Sequence, residues 1–156
     1  MCELKDVVAC DEKSRNFYRN KTEFSIGRSA FDDKIVVGFN CGDNVNSCLS
    51  VERGQTVNDV PTVSKQAFEI GLICENYIQE CDIDIYSKET RKGFWRNVTI
   101  RQSERTNQIL VNIICRKEHF NETEKDFDEE IKNKFTKHFV EKYQLNENLK
   151  YMELSG

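Results

Sequence analysis

The sequence predicts an α+β fold, an antiparallel sheet with two helices packed on it, in the order β-β-β-α-β-β-α-β. Three observations lead there. Residues 94–115 alternate polar and apolar side chains on either side of a polar turn, the pattern of a hairpin. Two other stretches, 60–81 and 121–144, repeat their apolar residues at helical spacing. Finally, 156 residues with 38% apolar content suffice for one core, and a single proline gives no sign of a linker-rich chain.

Residues 1–15 read as a flexible lead-in, and 16–156 as one domain. Phe17 to Ile26 is expected as a strand, with Tyr18, Phe24 and Ile26 on one face and Arg19, Lys21, Glu23 and Ser25 on the other. Gly27 to Asp33 is a turn. Lys34 to Asn40 and Asn46 to Val51 are two further strands, joined by the turn residues Gly42-Asp43-Asn44. A polar connection, Glu52 to Asp59, leads to a helix over Val60–Cys81. Pro61 suits its first turn, and Val63, Ala67, Ile70, Cys74, Tyr77 and Ile78 make its buried stripe. After the hairpin, Asn121 with Glu124, or Thr123 with Asp126, can cap a second helix. Its apolar face is Phe127, Ile131, Phe135, Phe139 and Tyr143. Lys150 to Leu154 is a last strand.

The hairpin is the most informative stretch. Strict alternation places Phe94, Val98 and Ile100 toward the core, and Trp95, Asn97, Thr99 and Arg101 on the opposite face. That leaves the only tryptophan outside the core among Arg91, Lys92, Arg96, Arg101 and Arg105. An aromatic surrounded by cations suggests a platform for a nucleic acid base. The plainer reading is a surface tryptophan packed under a loop.

The net charge of −4 argues weakly against nucleic acid, but the charges are segregated. Residues 13–28 and 88–105 are basic, while the acidic surplus lies between Glu118 and Glu130. Local patches decide phosphate binding more than the sum does. No apolar run is long enough for a membrane span, and the N-terminus has no signal-peptide core. Seven cysteines, an odd number without a signal, suggest thiols in an intracellular protein. Their spacing fits no zinc or iron–sulfur set, so no metal is expected. Asn20, Asn97 and Asn121 match the glycosylation pattern, which we read as chance. No phosphate-binding glycine loop and no nucleophile–histidine pairing is evident, so no catalytic residue is assigned and no cofactor is expected in this chain.

Two blocks carry a family resemblance. Tyr18-Arg19-Asn20-Lys21-Thr22-Glu23-Phe24 resembles the YRNK-x-EF signature of the tRNA (uracil-5-)-methyltransferases. Tyr86, Glu89-Thr90, Gly93, Trp95 and Val98-Thr99-Ile100-Arg101 resemble that family's Y-x-x-E-T-x-x-G-x-W-[RK]-x-[LV]-T-[VI]-R block. The resemblance covers roughly residues 16–154 and implies the family's central domain, which helps hold the T arm of tRNA. The family's S-adenosylmethionine loop and its Asp-Pro-Pro-Arg and Ser-Cys-Asn-Pro segments have no counterpart in the sequence. The resemblance therefore implies a fragment whose full-length parent would use S-adenosylmethionine, with the missing catalytic domain as a partner.

Residue by residue, the resemblance puts Trp95 where relatives place an aromatic against RNA. It puts Arg19 and Lys21 at the basic positions of the first block and Arg101 at the end of the second. Arg116 falls where many relatives have a histidine near the RNA, and Ser25 replaces an arginine of the bacterial enzymes. With Arg96, these make the expected RNA-binding set: Arg19, Lys21, Trp95, Arg96, Arg101 and Arg116. The alternative is a stand-alone protein-interaction domain, whose acidic second helix binds a partner and whose Trp95 is an interface anchor.

Overall fold

The computed structural model describes residues 5–12, 14–40, 47–50, 60–116, 125–143 and 149–155, with side chains over 5–12, 14–40, 60–116 and 129–142. The elements follow the expected order: β1 (Lys21–Ser29), β2 (Ile35–Asn40), β3 (Ser47–Ser50), α1 (Lys65–Glu80), β4 (Trp95–Ser103), β5 (Gln108–Cys115), α2 (Lys125–Tyr143) and β6 (Leu149–Ser155). The six strands form one sheet in the order β2-β3-β1-β4-β5-β6, with β2 also bonded to β1.

The sheet is mixed rather than wholly antiparallel. The pairs β1–β2, β2–β3, β1–β4 and β4–β5 are antiparallel, but β1–β3 and β5–β6 are parallel. The second parallel pair has a plain cause. The α2 crossover carries the chain back to the starting end of β5, so β6 must run in the same direction.

One face of the sheet makes the core. Phe24, Ile26, Val98, Ile100, Val111 and Ile113 point into it and meet Ala67, Phe68, Ile70, Cys74 and Ile78 of α1, with Ile131, Phe135 and Phe139 of α2. All six residues of the expected α1 stripe are buried. Helix α1 starts later than expected. Pro61 and Thr62 form a turn, and Ser64 is the N-cap, accepting from the Ala67 N–H at 3.1 Å. Of the caps expected for α2, Asn121, Thr123 and Glu124 lie outside the described residues, as do Cys2 and Cys41, and the side chains of Asp126 and Cys48 lie outside the described side chains.

Near the sheet edge, α1 does the work of a missing strand. Glu75 is buried, and its Oε2 accepts from the Val37 N–H at 2.7 Å. One turn on, Gln79 Nε2 donates to the Ile35 carbonyl at 2.6 Å. These contacts satisfy β2 backbone groups where β3 does not reach, since β3 pairs only with Gly38–Asn40. Removing the acceptor would leave a buried N–H unpaired. Glu75→Ala is therefore expected to cost about 1–3 kcal/mol, and Glu75→Gln less, since its amide oxygen still accepts. Urea denaturation of the two variants tests this; equal stability of Glu75→Ala and wild type would show the contact to be dispensable.

Candidate functional site

The face of the sheet turned away from the helices carries the polar residues. Across β1 and β4 the register pairs Ser25 with Asn97, Glu23 with Thr99 and Lys21 with Arg101. On β5, Asn112 stands opposite Thr99 and Leu110 opposite Arg101. Lys21 and Arg101 are thus cross-strand neighbours, a like-charge pair that is unfavourable unless something intervenes. Glu23 intervenes: its Oε1 lies 2.8 Å from Lys21 Nζ. The hydrogen bond from Lys21 is the main reason the Glu23 carboxyl is held below its ordinary value, with further help from Thr99 and Arg101.

Beyond Ser25 and Asn97 the strand pair ends in a cleft of about 270 Å³. Arg28, Lys88 and Arg96 line it against the single acid Asp84, together with Tyr86. Two of the expected site residues meet over that tyrosine. The Arg96 guanidinium lies 5.3 Å from the ring centroid and that of Arg116 5.5 Å. Arg116 also donates to the Arg91 carbonyl. The tyrosine is held by its backbone, whose N–H bonds to the Trp95 carbonyl at 2.7 Å, and the following loop closes through Ser87 N–H to the Lys92 carbonyl at 2.8 Å. The result is a half-buried aromatic ring with two guanidinium groups close to it, aromatic surface and positive charge side by side.

At the opposite end of β1 and β4 lies a larger cleft of about 620 Å³, between residues 14–20 and the β4–β5 turn. Arg19 and Arg105 are among its lining residues. The six expected site residues are therefore divided. Arg96 and Arg116 share Tyr86, Lys21 and Arg101 share the open face, and Arg19 belongs to the far cleft.

Trp95 joins none of them. Its expected exposure is incorrect: the side chain is 0% exposed. The cause is a register shift between Trp95 and Asn97, where β4 bulges against β5. The extra residue lets Arg96 and the partly buried Asn97 both lie away from the core and turns Trp95 inward with Val98 and Ile100. Its ring packs edge-on to Phe94 at 4.8 Å and to Tyr77 at 6.2 Å. No exposed tryptophan platform exists in this arrangement. Tyr18 moves the other way. Expected in the core-facing row of a strand, it precedes β1 and is 63% exposed.

Among the described aromatics Tyr18 and Phe31 are well exposed and Tyr86 is half-buried, where alternation had placed Trp95 on the surface. The basic run around Arg91 and Lys92 was the available signal for Tyr86. Two of the described thiols are poor nucleophiles. Burial pushes Cys74 far up from its ordinary value, and burial likewise raises Cys81. Among the described residues there is no cluster of three or more metal-ligating side chains, and no helix long and apolar enough to cross a membrane.

No protein-family model matches the chain. It is similar to zinc finger CCCH domain-containing protein 24 of Arabidopsis thaliana, 32% identical over 104 residues, covering 67% of this chain and 12% of that protein. It is similar to an uncharacterized RNA methyltransferase of Clostridium acetobutylicum, 29% identical over 66% of this chain and 20% of the relative. The human tRNA (uracil-5-)-methyltransferase homolog A is 24% identical over 70% of this chain and 17% of its own length. The chain thus spans a small part of the length of the relatives it matches. The two sequence blocks and the relatives named as RNA methyltransferases agree: over these residues the chain is similar to part of the tRNA (uracil-5-)-methyltransferases.

Proposed function

We propose that this chain is the RNA-binding central domain of a tRNA (uracil-5-)-methyltransferase, gripping the T arm while a uridine is methylated at C5 by a separate catalytic domain. The observation that carries the reading is the Arg96–Tyr86–Arg116 cluster beside a cleft whose lining is mostly cationic among its charged groups. A uridine within a folded loop has to leave its stack before its C5 becomes accessible. A surface that holds the loop meanwhile needs an aromatic face for bases and cations for phosphates, and this cluster has both. S-adenosylmethionine is the methyl donor that the family implies for the parent protein. The role we assign to this chain is holding RNA. The protein-interaction alternative rested on the acidic second helix with Trp95 as anchor, and the burial of Trp95 removes the anchor.

Titration with a T-arm stem–loop RNA at several salt concentrations tests the proposal. If Arg96 and Arg116 each neutralise one phosphate of the loop, removing both charges as glutamine should flatten the log–log salt slope by about 1.4, or 0.7 per charge. Lys21→Gln should have a smaller effect, because Glu23 already neutralises part of its charge. A double variant that binds with the wild-type affinity and slope would sink the proposal.

A further inference from the structure

We infer that the 620 Å³ cleft at the far end of the sheet is a second RNA subsite, receiving one unpaired nucleobase. This rests on the RNA-binding reading above and extends it to residues which that reading does not use. The wall formed by residues 17–19 is held in place by the backbone. Phe17 N–H donates to the Pro61 carbonyl at 2.6 Å, and Arg19 N–H to Thr62 at 3.1 Å. The Gln102 N–H then bonds Asn20 at 2.8 Å, joining this wall to β4.

Both walls contain backbone that L-residues seldom adopt. Phe17 has φ of 57° and Asn107 on the facing turn has φ of 49°. For Asn this is common, but for a bulky Phe it is an outlier of the kind found at binding sites. One consequence is that the next residue, Tyr18, projects 63% exposed at the cleft instead of joining β1.

The floor is rich in side-chain amides. Ser64 Oγ and Gln102 Oε1 are hydrogen-bonded, and Gln102 Nε2 donates to Gln66 Oε1 at 3.0 Å. That relay occupies the Gln66 oxygen and leaves its NH2 as a donor toward a ligand. Asn16, Asn20 and Gln108 line the same cleft. Amides match the donors and acceptors of a base edge. Arg19 and Arg105 stand at the cleft against Glu104, too little net charge for a site built on phosphate alone. An exposed tyrosine, oriented amides and two flanking cations fit a single base with its backbone. From Asn97 at the first cleft to Gln102 here is five residues of strand, about 17 Å, so one RNA loop can reach both.

The test uses the full chain, a T-arm stem–loop RNA and a fully paired RNA duplex of equal length. Tyr18→Ala should weaken stem–loop binding about 5- to 150-fold, leave the salt slope unchanged and spare duplex binding. Tyr18→Phe should restore affinity, since the ring supplies the stacking. Gln66→Ala, on a different element, should also weaken the stem–loop alone. Wild-type affinity in both Tyr18→Ala and Gln66→Ala, while the Arg96 and Arg116 substitutions still weaken binding, would overturn the subsite and leave the RNA reading intact. Equal losses on stem–loop and duplex would also overturn it. No binding by the wild-type chain would overturn both proposals.

Discussion

Trp95→Ala should destabilise the domain by about 3–5 kcal/mol, among the larger effects of any single substitution. The side chain is fully buried and joins three elements: it meets Phe94 beside it, and Tyr77 of α1, which itself packs edge-on to Phe135 of α2 at 4.7 Å. Removing the indole leaves a cavity that β4, locked between β1 and β5, cannot close. Trp95→Phe should lose much less. It keeps most of the ring volume and removes an indole N–H that has no hydrogen-bond partner among the described residues. Guanidinium denaturation followed by circular dichroism gives the comparison. An alanine variant with the wild-type midpoint but weaker RNA binding would restore the exposed platform and refute the buried placement.

The tryptophan also shows where the sequence stops being informative. Phe94 and Trp95 are adjacent and both apolar, so alternation alone allows only one of them to point inward. The bulge turns Trp95 inward, at 0% exposure, and Phe94, which precedes β4 and so is not bound by its alternation, is buried as well, at 2%. The one local mark of the inserted residue is Arg96, which regular alternation would put in the core-facing row with Phe94 and Val98. By contrast, Val98, Ile100, Val111 and Ile113 alternate beyond the bulge and were legible as core from spacing alone. The same holds for Ile131, Phe135 and Phe139 in α2.

The binding surface was legible in its residue types and not in its grouping. Arg96 and Arg116 are remote in the chain, and they meet because the hairpin pairs Trp95 with Cys115 and bonds the Arg116 N–H to the Phe94 carbonyl at 2.9 Å. No periodicity announces that both will converge on Tyr86, which sits in a loop whose course depends on tertiary hydrogen bonds. Tyr18 was misplaced for a related reason. Its pattern continues that of Phe24 and Ile26, but the backbone bonds from Phe17 and Arg19 to residues 61 and 62 hold the segment outside β1. The direction of β6 is likewise a matter of connectivity, invisible in its own residues.

Gly93→Ala should be the other severe substitution, and it bears on both stability and RNA binding. Gly93 has φ of +102°, in a region that side chains with a Cβ rarely enter. A Cβ there would lie 2.0 Å from the Ile85 carbonyl oxygen, 2.5 Å from its carbon and 2.9 Å from Tyr86 Cα. All three are backbone atoms, so no rotamer change relieves the contact. The strained φ costs about 1–3 kcal/mol. Overpacking adds a comparable amount, about 1–3 kcal/mol. The relief available is to push the 84–86 segment away, which breaks the Phe94 N–H to Asp84 bond of 2.8 Å and moves Tyr86 away from Arg96 and Arg116. RNA affinity should then fall even at temperatures where the variant remains folded, with a flatter salt slope as the two arginines separate. Thermal melting and stem–loop titration below the melting point read the two effects independently. A variant that melts like wild type and binds with the same slope would show that residues 85 and 93 do not approach this closely in solution, and that the cluster over Tyr86 does not depend on the glycine.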